Sequence, residues 1–252
     1  MAETVLRVEH LKKIFTSGKK SFTAVDDVSF EVKRGQCLGI VGESGSGKST
    51  IAQMITRLID VTDGTITLMG KDITNVKGKE LRQVYQEIQM VFQMPMESFD
   101  PRYTLGDGIG ESLRNLGMNR RDTRKKVIEL LDQCGLEPEF ADRYPHQVSG
   151  GQCQRAAIAR ALAVTPSLLI CDEATSALDV TVQKQVLELL SELKEKENLS
   201  FLLICHDLAL VQVFCDEVLV LYHGKVVEKG TPDEIINHPE KEYTKLLIDS
   251  VL

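Results

Sequence analysis

The chain has 252 residues, of which 42% are hydrophobic and 27% charged, with a formal charge of −7. That is the balance of a soluble globular protein with a full core, and its sign argues against a nucleic-acid binder working through a general basic surface. No apolar run approaches the roughly eighteen residues of a spanning helix and Met1-Ala2-Glu3-Thr4 has no signal-peptide character, so any membrane role is expected to fall to a partner.

Val5 to Phe15 alternates apolar positions (Val5, Leu6, Val8, Leu11, Ile14) and predicts a strand, followed by a turn through Gly18-Lys19-Lys20-Ser21. A second strand runs from Phe22 through Val28, Phe30 and Val32 to Arg34-Gly35. Phe15 sits where a chain leaving an edge strand can lay a ring against a flat base; Phe22 rivals it for that role, and a plain core Phe is the other reading.

The apolar run Cys37-Leu38-Gly39-Ile40-Val41 then leads into Gly42-Glu43-Ser44-Gly45-Ser46-Gly47-Lys48-Ser49-Thr50. A phosphate belongs there: the glycines let backbone N–H groups turn inward, and a helix starting at Gly47 adds the positive end of its dipole. Lys48 is suited to bridge β- and γ-phosphates, and Ser49 carries a hydroxyl for Mg²⁺. The strand-like run before the loop and the amphipathic run after it (Ile51, Ala52, Met54, Ile55, Leu58, Ile59) strengthen the match.

Thr65 to Met69, between Asp63-Gly64 and Gly70-Lys71, reads as a short antiparallel strand, and Glu87 to Gln93 as another that ends in a polar side chain. Gln93 there can reach a metal-bound water. From Met94 to His146 the texture changes: Pro95, Pro101, Gly106, Gly108 and Gly110 are expected to break up the first part, and Thr123 to Leu136 has helical spacing, predicting an inserted helical lobe. Val148-Ser149-Gly150-Gly151-Gln152 opens another helix, with Ser149 as N-cap and two glycines presenting bare N–H groups.

Leu168 to Asp172 predicts a buried strand that delivers Asp172 and Glu173 at its end, the first suited to Mg²⁺ and the second to polarising a water for in-line attack. Ser176-Ala177-Leu178-Asp179 turns into a helix, and the apolar strand Phe201 to Cys205 ends in His206, at the edge where parallel sheets put their ligands. Glu217 to Tyr222 and Lys225 to Glu228 read as a hairpin, followed by short helices near Pro232–Ile236 and Tyr243–Leu252. Cys37, Cys134, Cys153, Cys171, Cys205 and Cys215 are scattered with no CxxC pair, which reads as reduced, largely buried thiols in a cytosolic protein.

In this order the motifs resemble an ABC-type ATPase, the nucleotide-binding subunit of ABC transporters, from Leu6 to Leu252. The resemblance implies an α/β P-loop NTPase fold: a RecA-like core with an antiparallel β subdomain (1–93 and 147–252) and a helical subdomain (94–146). Gly42 to Thr50 resembles the Walker A loop, Gln93 the Q-loop, Ser149-Gly150-Gly151-Gln152 the signature motif, and Leu168 to Asp172 Walker B. Glu173 is then the catalytic carboxylate, Asp179 lies in the D-loop, His206 is the switch histidine and Phe15 stacks on adenine. ATP and Mg²⁺ are implied, the metal at Ser49, Gln93 and Asp172. Two subunits would sandwich two ATP molecules, Ser149 and Gly151 reaching the γ-phosphate bound to the other copy.

Phe92 to Arg102, Ser176 to Gln183, and His238-Pro239 with Tyr243-Thr244 are similar to the peptide/nickel importer branch. That likeness implies a paralogous ATPase as partner, two membrane permease subunits, a solute-binding protein acting indirectly, and a peripheral place on the cytoplasmic face of the cell membrane. An exporter ATPase or a non-transport ABC protein are the alternatives. Val148, Cys153, Met94 and Ala174 depart from the family pattern without removing a phosphate or metal contact. The tail ends soon after Leu247 without a cysteine-rich extension, which leans the expectation toward a nickel or dipeptide system.

Overall fold

The computed structural model describes residues 3–18, 20–174 and 178–251. Lys19 of the first turn, and Ser176 and Ala177 ahead of Asp179, lie outside the described residues, as does Leu252. In chain order the elements are Thr4–Ser17 (β1), Lys20–Lys33 (β2), Cys37–Val41 (β3), Lys48–Ile55 (α1), Asp63–Leu68 (β4), Lys71–Asp72 (β5), Gly78–Glu87 (α2) and Ile88–Val91 (β6). A 3-10 turn at Pro95–Ser98 leads to Leu105–Asn115 (α3), Arg120–Gln133 (α4) and Gly150–Leu162 (α5). Leu168–Asp172 (β7), Val180–Glu197 (α6), Ser200–Ile204 (β8), Leu208–Phe214 (α7), Glu217–Tyr222 (β9), Lys225–Gly230 (β10), Pro232–Asn237 (α8) and Glu242–Val251 (α9) complete the chain.

Two sheets result. The first is antiparallel, in the order β2-β1-β4-β5; the second runs β10-β9-β3-β8-β7-β6, parallel from β9 to β6, with β10 returning antiparallel on β9. Strands buried on both faces need continuous apolar runs, and β3, β7, β8 and β9 are such runs. Leu38, Ile40, Leu168, Ile170, Leu202, Ile204, Leu219 and Leu221 point to one core, shared with α1 and the antiparallel sheet. The residues between them, Leu169, Cys171, Phe201, Leu203, Val218 and Val220, point to the other, shared with α3 to α7. Each fully buried Leu or Ile contributes on the order of 1.5–3 kcal/mol.

The helical stretch differs from its sequence reading. Gly106, Gly108 and Gly110 do not interrupt structure; they lie inside α3, on sides where neighbours come too close for a side chain. A Cβ on Gly106 would stand 2.6 Å from the Ala141 carbonyl oxygen, on Gly108 2.7 Å from the Phe99 ring, and on Gly110 2.6 Å from the Thr123 methyl. The helix after the phosphate loop also ends at Ile55, short of Leu58, which is exposed. Glu87 closes α2 instead of opening a strand, and Gln93 stands two residues past the end of β6. α5 packs on both α3 and α4. No helix among the described residues is long and apolar enough to cross a membrane.

Candidate nucleotide site

Parallel register brings the strand ends into line. Ile40 of β3 and Asp172 of β7 both pair with Ile204 of β8, and Val91 of β6 pairs with Cys171. The segments leaving these four adjacent strands therefore emerge at one edge, carrying Lys48, His206, Glu173 and Gln93, where open α/β sheets hold ligands.

The phosphate loop is shaped by what lies behind it. Gly42 (φ 150°) and Gly47 (φ 109°) adopt backbone angles that side chains disfavour, and a Cβ on them would collide with the carbonyl oxygens of Leu221 and Ala24 respectively. The Gly224 N–H donates to the Ser46 carbonyl (2.9 Å), and the Gly224 carbonyl accepts from the Asp26 N–H (2.8 Å). At the mouth of the loop α1 has no side-chain cap and no acid in its first turn, whereas α3 to α8 each have a side-chain cap. Its first N–H groups are thus left to an anion.

Lys48 is buried, and its ammonium donates to the carbonyls of Gly42 (2.6 Å) and Glu43 (2.8 Å). Burial lowers its pKa, opposed by the carboxylates of Glu173 and Asp172. The Ser49 hydroxyl donates to Asp172 Oδ1 at 3.1 Å, joining the loop to the end of β7. Burial raises the Asp172 pKa, and the Ser49 bond opposes the rise. Gln93 Nε2 donates to Glu173 Oε2 at 2.7 Å, while His206 Nδ1 lies 3.8 Å from Glu173 Oε1. Glu173 has a left-handed backbone (φ 48°) and donates its N–H to the Ile204 carbonyl at 2.8 Å. That conformation is uncommon for a non-glycine residue and is held here by the neighbouring strand.

Phe15 and Phe22 are paired directly across β1 and β2, and both line the groove with Ala24, Ser44, Gly45, Gly47 to Thr50 and Glu173. Phe15 is 43% exposed, so it is not a core residue, and Phe22 is more open still at 63%. Ser149, Gly150, Gly151 and Gln152 do not line this groove. Ser149 and Gln152 cap α5 reciprocally, Gln152 N–H to Ser149 Oγ at 3.3 Å and Ser149 N–H to Gln152 Oε1 at 2.9 Å. Gly151 lies so close to Val182 that a side chain would overlap it. Asp179 caps α6 by accepting the N–H groups of Thr181 (3.1 Å) and Val182 (3.0 Å). All six cysteines are free and buried.

The donor set fits a hard cation. Ser49 and Asp172 supply oxygens that already converge, and the Gln93 amide is bonded to the adjacent Glu173; no cluster of three or more His, Cys, Asp or Glu exists among the described residues to hold a metal alone. One carboxylate with a hydroxyl suits Mg²⁺ shared with substrate phosphates. Backbone packing by Leu221, Ala24 and Gly224 had no sequence signature, because carbonyl oxygens are common to every residue.

An open parallel sheet, a phosphate loop feeding an uncapped helix and a carboxylate pair on the next strand but one define a P-loop nucleoside triphosphatase. The family described as ABC transporter matches residues 25–176. The oligopeptide transport ATP-binding protein OppF of Salmonella typhimurium is 47% identical over 242 residues, 95% of this chain and 72% of that protein. The dipeptide transport ATP-binding protein DppF of Lactococcus lactis subsp. cremoris is 43% identical over 252 residues, 98% of this chain and 81% of that protein. The dimeric post-hydrolysis structure of the ATP-binding cassette MJ0796, bound to ADP and Pi, superimposes with a TM-score of 0.83 at 29% identity, covering 90% of this chain and 98% of that one. The chain belongs to the ABC transporter family and is an ATPase.

Proposed function

We propose that this chain is the ATP-hydrolysing subunit of an importer for di- or oligopeptides, working at the cytoplasmic face of the membrane as one of two ATPases beneath two permease subunits. The names of its relatives support peptides over nickel as cargo, and a solute-binding protein would deliver the peptide. The observation that carries the ATPase mechanism is the convergence of Gln93 and His206 on Glu173 beside the phosphate loop.

ATP enters with its adenine against Phe15 or Phe22 and its phosphates in the cradle of residues 42–50. Lys48, still held by the Gly42 carbonyl, gives up the Glu43 carbonyl and turns its other two N–H groups to β- and γ-phosphate oxygens. Ser49, Asp172 and Gln93 would hold Mg²⁺, which supplies charge neutralisation on those oxygens. Glu173 orients the attacking water, held in aim by the Gln93 amide, and His206 stabilises charge on the transferring phosphoryl. Ser149 and the Gly150 and Gly151 N–H groups, with Gln152 steadying the cap, serve the γ-phosphate of a second subunit, and Asp179 stands at the junction between the two.

Coupling runs through residues 94–146 as a helical unit moving against 1–93 and 147–252. Phe92, Met94, Met96 and Tyr103 are exposed along the segment after β6 and suit an apolar permease contact. The test is reconstitution with the permease pair and binding protein in vesicles. Phosphate release should rise when peptide-loaded binding protein is added. Stimulation by nickel but not by peptide would remove the cargo assignment, and the absence of any ATP turnover would remove the mechanism.

A further inference from the structure

The outer side of the phosphate loop is touched from the far end of the chain. Glu43 N–H donates to the hydroxyl oxygen of Tyr243, in α9, at 3.2 Å. The same peptide unit carries the Gly42 carbonyl, which accepts from Lys48 Nζ at 2.6 Å. A trans peptide is planar and its N–H and C=O point in opposite directions, so fixing one fixes the other. Gly42 has no side chain to resist rotation of that plane, and its φ of 150° lies where only glycine moves freely.

The tyrosine is delivered to this point by a built support. Its ring packs on Tyr222 at the end of β9, with centroids 4.0 Å apart and planes inclined by 32°, and Tyr222 in turn packs on His223. The Glu228 carboxylate on β10 accepts the N–H groups of Glu240 (2.8 Å) and Lys241 (3.2 Å), which anchors the chain as it enters α9. Burial raises the Tyr243 pKa, so the phenol stays neutral and adds no negative charge beside a phosphate site.

We infer that Tyr243 is a positioning residue for the phosphate loop: it holds the Gly42–Glu43 peptide plane and thereby the carbonyl that presents the Lys48 ammonium to the nucleotide. This rests on the ATP-site reading above. Tyr243 acts from outside the loop, through Lys48.

The test is ATP affinity of the full chain in a double-mutant cycle. Tyr243→Phe keeps the ring and removes the hydroxyl, and should weaken ATP binding roughly five-fold, the effect of one ordinary hydrogen bond. In a Lys48→Ala background the same substitution should cost nothing further. Wild-type affinity in Tyr243→Phe, or an equal loss in both backgrounds, overturns the inference, the second result leaving only a brace for α9. In the unmutated chain the Glu43 amide should be protected from hydrogen exchange, and rapid exchange there overturns it without any variant. If Lys48→Ala itself binds ATP at full strength, the ATP-site reading fails; if Lys48→Ala weakens binding and Tyr243→Phe does not, only the role of Tyr243 fails.

Discussion

Gln93 and Glu173, 80 residues apart in sequence, are joined by a 2.7 Å hydrogen bond from the Gln93 amide to Glu173 Oε2. The bond spans the ends of two neighbouring parallel strands, so a shift in the segment after β6 is felt directly by the carboxylate. Glu173→Gln keeps the size of the side chain and removes its capacity to take a proton. Turnover should fall by about 10²–10⁴-fold, the usual worth of a positioned general base, while ATP binding persists and a nucleotide-trapped dimer accumulates. Phosphate release and size-exclusion chromatography with ATP read both effects, and undiminished turnover would take Glu173 out of the reaction.

Arg160 ties α5 to the segment after Gln93. Its guanidinium donates to the Ser98 carbonyl (2.5 Å) and hydroxyl (3.0 Å) and lies 4.3 Å from the centre of the Phe99 ring. Arg160→Ala should cost about 2–4 kcal/mol in urea unfolding, from lost hydrogen bonds and an opened gap. Lysine should not restore it, because the two bonds need a planar fork. In vesicles the ratio of peptide-stimulated to basal hydrolysis should fall toward one.

Gly106→Ala tests packing against propensity. In an exposed helix alanine would stabilise by about 1 kcal/mol. Here its methyl would stand 2.6 Å from the Ala141 backbone oxygen, which has no side-chain freedom to yield. A net loss of about 1–3 kcal/mol is expected in chemical denaturation, and a gain would show that this helix contact is loose.

Asp100 and Arg102 form an exposed pair at the start of the helical stretch, joined at 2.6 Å. The guanidinium lowers the Asp100 pKa from 3.8 to about 2. A depressed carboxylate contributes its stabilisation above the ordinary value and loses it as the pH falls through the folded value, so this turn should stay pinned down to about pH 2. Carboxyl carbon NMR should find the Asp100 midpoint there, and Arg102→Gln should return it to the ordinary range.

Much of the site was legible because its chemistry is local: residues 42–50 carry the phosphate loop in one stretch, and Asp172-Glu173 and His206 each follow an apolar run. The architecture around them was harder to read. α2 fully buries only Val84, with Leu81 partly covered, a stripe too short and too diluted by charged residues to announce it, and α3 was hidden by glycines that serve close packing. The choice between Phe15 and Phe22 could not be made from spacing, and their pairing across β1 and β2 explains why: both face the same groove. The contact between Tyr243 and Glu43 links positions 200 apart, beyond any local pattern.

The backbone of Gly224 takes part in two bonds at once, giving its N–H to Ser46 and receiving that of Asp26. Three distant stretches of polypeptide thus share one clasp, and none can let go without loosening the others. Filling the cradle with nucleotide should slow deuterium uptake at Gly224 and Asp26 together, so occupancy of the pocket can be followed from amides that never meet the ligand.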